Sequence, residues 1–201
     1  MILAALLMAM QVAIQDPRLD RLDPDTRAQV IAVVDSARRA GLPAEPLIQR
    51  ALEGTTKAAP GPRIVAAVQR LAGDLGTARA ALGNGTSAPE LEAGVAALRA
   101  GASPQVLTNL RSVRRSQLTM ALSVLADLVA SGVPVDSAAA AVLALAPKAR
   151  DADLVEFRRA VERDIALGAP PAAATSIRVN AGAALSSFDA SNPGPARPRR
   201  P

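Results

Sequence analysis

Apolar residues recur three and four positions apart along most of the chain, the spacing of one face of an α-helix. Ile31, Val34 and Ala37 form the first such stripe, and Leu47, Ile48, Ala51 and Leu52 the second. The longest runs from about Pro62 to Leu82 and carries Ile64, Val68, Leu71, Leu75, Ala78 and Leu82. Further stripes follow at Leu91/Val95/Leu98, Val106/Leu107/Leu110, Leu118/Leu122/Leu125/Val129, Ala138 to Leu145, and Leu154/Phe157/Val161/Ile165. Period-two alternation of β-branched and aromatic residues is absent, so no strand competes.

Start and stop signals divide these stripes into helices. Asp23-Pro24-Asp25 supplies an N-cap, a proline at the first helical position and an acid near the positive end of the dipole. Ser87 followed by Glu90 matches a capping box. Gly54 is expected to stop the second helix, leaving Thr55 to Gly61 as loop, and Gly83-Asn84-Gly85 reads as a turn. Gly73 and Gly76 fall inside the longest stripe, where they weaken a helix and mark a close approach or a kink.

One junction recurs: Gly41-Leu42-Pro43, Gly101-Ala102-Ser103-Pro104, Gly132-Val133-Pro134 and Gly168-Ala169-Pro170. A left-handed glycine closes one helix, a small or apolar residue packs back, and a proline opens the next helix. The spacing suggests imperfect helical hairpins of roughly 30–36 residues, with a degenerate copy near Gly73 or Gly83. The expected fold is all-α: hairpins with Gly-x-Pro corners, arranged as a small right-handed bundle or a short α-solenoid over residues 16–177. From Arg178 to Pro201, Ser, Asn, Gly and Pro accumulate and the chain ends PGPARPRRP, which reads as a disordered Pro/Arg-rich tail.

Composition narrows the chemistry. The 201 residues include no Cys, His, Trp or Tyr and only two Phe. Metal sites built on imidazole or thiolate, thiol nucleophiles, Ser–His–Asp triads and disulfides are therefore excluded. No cofactor motif is present, and no catalytic or metal-binding residue is assigned. The core must come from Leu, Val and Ile, because the abundant Ala favours helix but buries little area.

The net charge of +5 is uneven: from Arg178 onward four arginines face one aspartate, so most of the excess sits at the C-terminal end. The body is nearly balanced, unlike a nucleic-acid-binding domain with a concentrated basic face. Met1 to Ile14 carries no charge and only one polar side chain, Gln11. It is too short to span a bilayer and suits the hydrophobic region of a secretory signal peptide, residues 1–15, with cleavage before Asp16. Against this, no basic residue precedes the run and no clean small-x-small site ends it; the competing reading is an apolar first helix packed on the body.

Four clusters merit a chemical reading. Gly54-Thr55-Thr56-Lys57 lacks the strand and the full spacing of a phosphate loop. Arg111, Arg114 and Arg115 are the densest basic group in the body, suited to helix C-terminal carbonyls or to an anion contact. Asp151, Asp153 and Glu156 sit at a helix start, where dipole complementation explains them better than acid–base chemistry. Arg158, Arg159, Glu162, Arg163 and Asp164 read as a solvated face, with Arg158 and Glu162 paired one turn apart. The expectation is a non-enzymatic, exported (periplasmic or extracellular) interaction or scaffold protein whose partner is another protein. The alternative is a cytoplasmic nucleic-acid-associated helical protein using Arg111–Arg115 and the basic tail.

Overall fold

A computed structural model of the chain describes residues 16–191, with side-chain environments for 16–181. Among the described residues the chain is all-helical. A 3₁₀ turn at Pro17–Arg21 precedes α1 (Pro24–Arg39), α2 (Glu45–Thr56), α3 (Gly61–Leu82), α4 (Ala88–Arg99) and α5 (Pro104–Val113). Then come α6 (Thr119–Ala130), α7 (Val135–Leu145), α8 (Asp151–Ala166) and α9 (Pro171–Ser191). None of these helices is long and apolar enough to cross a membrane. Residues 1–15, read above as a signal peptide, lie outside the described residues, as do 192–201.

The 3₁₀ turn has no apolar period and escapes a helix-pattern reading. The Asp16 side chain accepts from the backbone N–H of Arg18 and so caps it. Asp23 caps α1 by accepting from the Thr26 N–H at 3.0 Å. The buried face of α1 is Thr26, Val30, Val34 and Ala37, one position back from the expected start at Ile31.

The chain forms two compact units that divide within α3, at Gly73 and Asp74. The division has a packing origin, because the two halves of α3 meet different neighbours. In the first unit Gly54 of α2 lies so close to α3 that a Cβ there would stand 2.7 Å from Ile64 Cγ1. In the second, a Cβ on Gly94 of α4 would meet Leu82 Cδ1 at 3.1 Å and Ala78 Cβ at 3.3 Å. Gly73 and Gly76 have open space where a Cβ would go, so neither marks a close approach. Close approach sits instead at Gly54 and Gly94.

In the second unit every other helix stacks. α4 packs on α6 and α6 on α8, while α5 packs on α7 and α7 on α9; α6–α7 and α8–α9 pair as hairpins. Leu91, Leu107, Leu110, Leu118, Leu122, Leu125, Leu128 and Leu154 are fully buried in this stack. In the first unit α1, α2 and the 3₁₀ turn pack together around Val30 and Leu47.

All four Gly-x-Pro corners carry the same pair of bonds. At the first, Gly41 N–H donates to Arg38 O and Leu42 N–H to Ala37 O; Gly101/Ala102, Gly132/Val133 and Gly168/Ala169 repeat this. This double bond is the Schellman closure, and the four glycines have φ between 70° and 105°. A fifth copy stands at Ala58, with Ala58 N–H donating to Thr55 O and Ala59 N–H to Gly54 O. Ala58 takes φ 51° although it carries a Cβ, and Pro60 follows as at the other corners. The fifth such corner is therefore here, not at Gly73 or Gly83. Gly83 is left-handed but lacks the double bond, and Gly54 lies within α2 rather than ending it.

The last helix, α9, runs from Pro171 through Ser191, across the expected break at Arg178. A two-point ion pair holds Arg178 on Asp164 of α8, both contacts at 2.7 Å.

Candidate functional site

Two places in the described residues concentrate chemistry: a carboxylate buried in the second unit and an uncharged groove in the first. Glu90 stands at the third position of α4, where its backbone N–H donates to Ser87 Oγ at 3.4 Å. In return its Oε2 accepts from the Ser87 N–H and Oγ, both at 3.1 Å, which completes the capping box. The other oxygen leaves the local motif. Oε1 accepts from the Leu118 N–H at 2.8 Å and from Arg111 Nη2 at 2.8 Å. One carboxylate thus ties the start of α4 to the end of α5 and the start of α6.

The Glu90 side chain is only 7% exposed. Burial by itself raises its pKa, but the Leu118 N–H, the Arg111 guanidinium and the Ser87 donors outweigh that and bring it down to about 2. The group is an anion at any physiological pH.

The three arginines of the basic cluster separate in space and role. Arg111 is the counter-ion of Glu90. Arg114 is pulled inward, with its side chain 10% exposed. Its Nη1 donates to the carbonyls of Ala146 and Ala149 at 3.2 and 2.7 Å, and its Nη2 pairs with Asp151 at 2.6 Å. This guanidinium therefore completes the C-terminal end of α7 and fixes the turn into α8. Arg115 is exposed to solvent. Two of the three cations are engaged by protein acceptors, and Arg115 alone of the three is exposed.

The remaining clusters resolve into local roles. The Thr55 and Thr56 hydroxyls donate back to the Ala51 and Leu52 carbonyls within α2, and so form no phosphate cradle. Asp151, Asp153 and Glu156 each face a different arginine: Arg114, Arg150 and Arg163. Arg158 pairs with Glu162 at 3.3 Å and also reaches Asp127 of α6 at 3.1 Å. Asp164 meets Arg178, and Arg159 is exposed. Among the described residues no group of three potential metal ligands occurs.

The groove lies between α1 and α3 in the first unit and has a volume of 480 Å³. Gln29, Ala32, Val33 and Ser36 of α1 line one side, and Gln69 and Ala72 of α3 the other. No charged residue lines it, and two glutamine amides and a serine hydroxyl supply its polar side chains. Sequence reasoning missed it because Ala32 and Ala72 belong to different stripes, and alanines 40 residues apart carry no signal of meeting. No family model, no curated protein and no solved structure matches this chain.

Proposed function

We propose that this protein is an exported, non-enzymatic α-helical interaction module that binds another protein chain. The observation that carries the reading is the shallow groove between α1 and α3, uncharged and lined mostly by small and apolar side chains, a surface suited to contact with an apolar helix face. Stacked hairpins support it, since such architectures present extended surfaces built from one repeated unit. The shared Schellman corners extend that unit to Gly41 and Ala58, which favours repeated ancestry. Arg111 and Arg114 are held by internal acceptors, which weakens the nucleic-acid alternative. The uncharged run Met1 to Ile14 supports export.

Two measurements test the two halves. Fractionation of the native host with intact-mass determination should find an extracytoplasmic chain beginning near Asp16; a cytosolic chain retaining Met1 overturns export. A photo-crosslinking residue placed at Ser36 should yield a discrete protein adduct in the host, while the same residue at Arg115 yields none. Equal labelling from both positions overturns the assignment of the groove.

A further inference from the structure

Three large apolar side chains stand exposed among the described residues, and two of them, Leu167 at 83% and Ile177 at 61%, belong to the α8–α9 hairpin. Their exposure follows from the way the second unit stacks. A Cβ on Gly101 would stand 3.2 Å from Val135 Cγ2 at the start of α7, and one on Gly132 3.8 Å from Pro171 Cγ at the start of α9. Each of these corners is covered by the hairpin that follows it. The corner at Gly168 comes last among the described residues, and nothing lies within 4 Å of a Cβ there. The other end of the unit is closed. Leu82 and Ala78 of α3 sit on Gly94, Asp74 pairs with Arg99, and the Ala81 carbonyl accepts from Thr108 Oγ1 at 3.2 Å. A stack of helical repeats stays soluble when its terminal unit turns a polar face outward. α9 does not: Ala174 and Thr175 are its buried side, while Ala172, Ser176, Ile177, Asn180 and Ala181 are exposed. Arg178, the one charge between Pro171 and Ala181, is taken by Asp164.

We propose that a second copy of this chain covers the open end of the stack, α9 against α9, in a two-fold dimer. The cover that each earlier corner receives is a helix start of this same chain, so the contact continues a packing the chain already makes. Because α3 closes the opposite end, the stack offers a second copy only its open end, and the pairing is isologous and stops at two. An uncharged face is what such a pairing needs, since a two-fold axis brings every charge on it toward its own like. Residues 192–201, NPGPARPRRP, carry three arginines and no apolar side chain beyond Ala and Pro, the wrong chemistry to cover Leu167 and Ile177. In the dimer the axis passes near Ala173, and Leu167 of each copy lies over Ile177 of the other. The contact is one helix wide, so its dissociation constant is expected at about 10–100 µM, in the range of small transient interfaces. The dimer depends neither on export nor on the groove between α1 and α3.

Sedimentation equilibrium of the purified full chain, followed across that concentration range, should show a monomer passing into a dimer and nothing larger. Leu167→Asp combined with Ile177→Asp should leave a monomer throughout, with an unchanged circular-dichroism spectrum. Val113→Asp, at the third exposed apolar position, should leave the dimer intact. The chain has no cysteine of its own, so single thiols report the geometry. Under mild oxidation Ala173→Cys should form a disulfide with its own copy several-fold faster than Asn109→Cys, because only a two-fold axis sets a position against itself. A chain that stays monomeric, a dimer that survives both aspartates, or equal oxidation of the two thiol variants overturns the proposal. So does a monomer that dimerises only after residues 192–201 are removed, which assigns the face to the chain's own tail.

Discussion

Replacing Glu90 by glutamine removes one charge and one acceptor while keeping shape. The carboxylate accepts four hydrogen bonds, two on each oxygen. Whichever way the amide turns, its NH₂ faces either Leu118 N–H and Arg111 or the Ser87 donors, so one pair is lost. Leaving a buried backbone N–H unsatisfied costs about 1–3 kcal/mol, and breaking a buried ion pair about 3–5 kcal/mol, reduced here because Arg111 retains some contact with water. A second route uses the displacement of the Glu90 pKa from the ordinary 4.5 to about 2. At about 1.4 kcal/mol per pH unit this corresponds to about 3–4 kcal/mol. Both routes place Glu90→Gln at about 3 kcal/mol, read as a shift in urea midpoint by far-UV circular dichroism. The sign with pH follows from linkage. The folded-state pKa is depressed, so the contribution is complete above about pH 4.5 and is lost as pH falls toward about 2. The gap between variant and parent should therefore be full at about pH 7 and close on acidification through that window. A loss below about 1 kcal/mol at neutral pH, or a gap that acid leaves untouched, would refute this account of the carboxylate.

Neighbouring arginines should part company: Arg114→Ala is expected to cost about 2–3 kcal/mol, because it uncaps buried carbonyls, and Arg115→Ala less than about 0.5 kcal/mol by the same urea assay. Gly54→Ala should destabilise by about 1–3 kcal/mol through its collision with Ile64, whereas Gly73→Ala, in open space on α3, should stabilise by about 0.5–1 kcal/mol. Ala58→Gly relieves a left-handed alanine and should raise the thermal midpoint, with a gain of about 1 kcal/mol. Leu125→Ala empties a fully buried position and should cost about 2–5 kcal/mol in equilibrium unfolding; a loss comparable to that of Arg115→Ala would mean that the faces of α6 are misassigned.

What the sequence determined by itself is everything written in windows of three to six residues. Helix type follows from apolar spacing, the Asp23 and Ser87 caps from one oxygen reaching an N–H three residues on, and the four glycine corners from a φ that alanine resists. These interactions close within one turn, so the local string contains both partners. The tertiary structure decided the rest, since the second partner in each case lies far away along the chain. Glu90 is legible as a cap, but its bond to Leu118 spans 28 residues, and Arg114 finds Asp151 across 37. Arg111 reads as a cation in search of an anion, and only packing shows that the anion is Glu90. Gly54 reads as a helix stop because glycine disfavours helices, yet the approach of Ile64 is the stronger constraint, and the stop moves to Ala58. The same holds for the groove. Ala32 and Ala72 are helix formers in the sequence, and become the walls of a groove only because α1 and α3 leave about 480 Å³ between them.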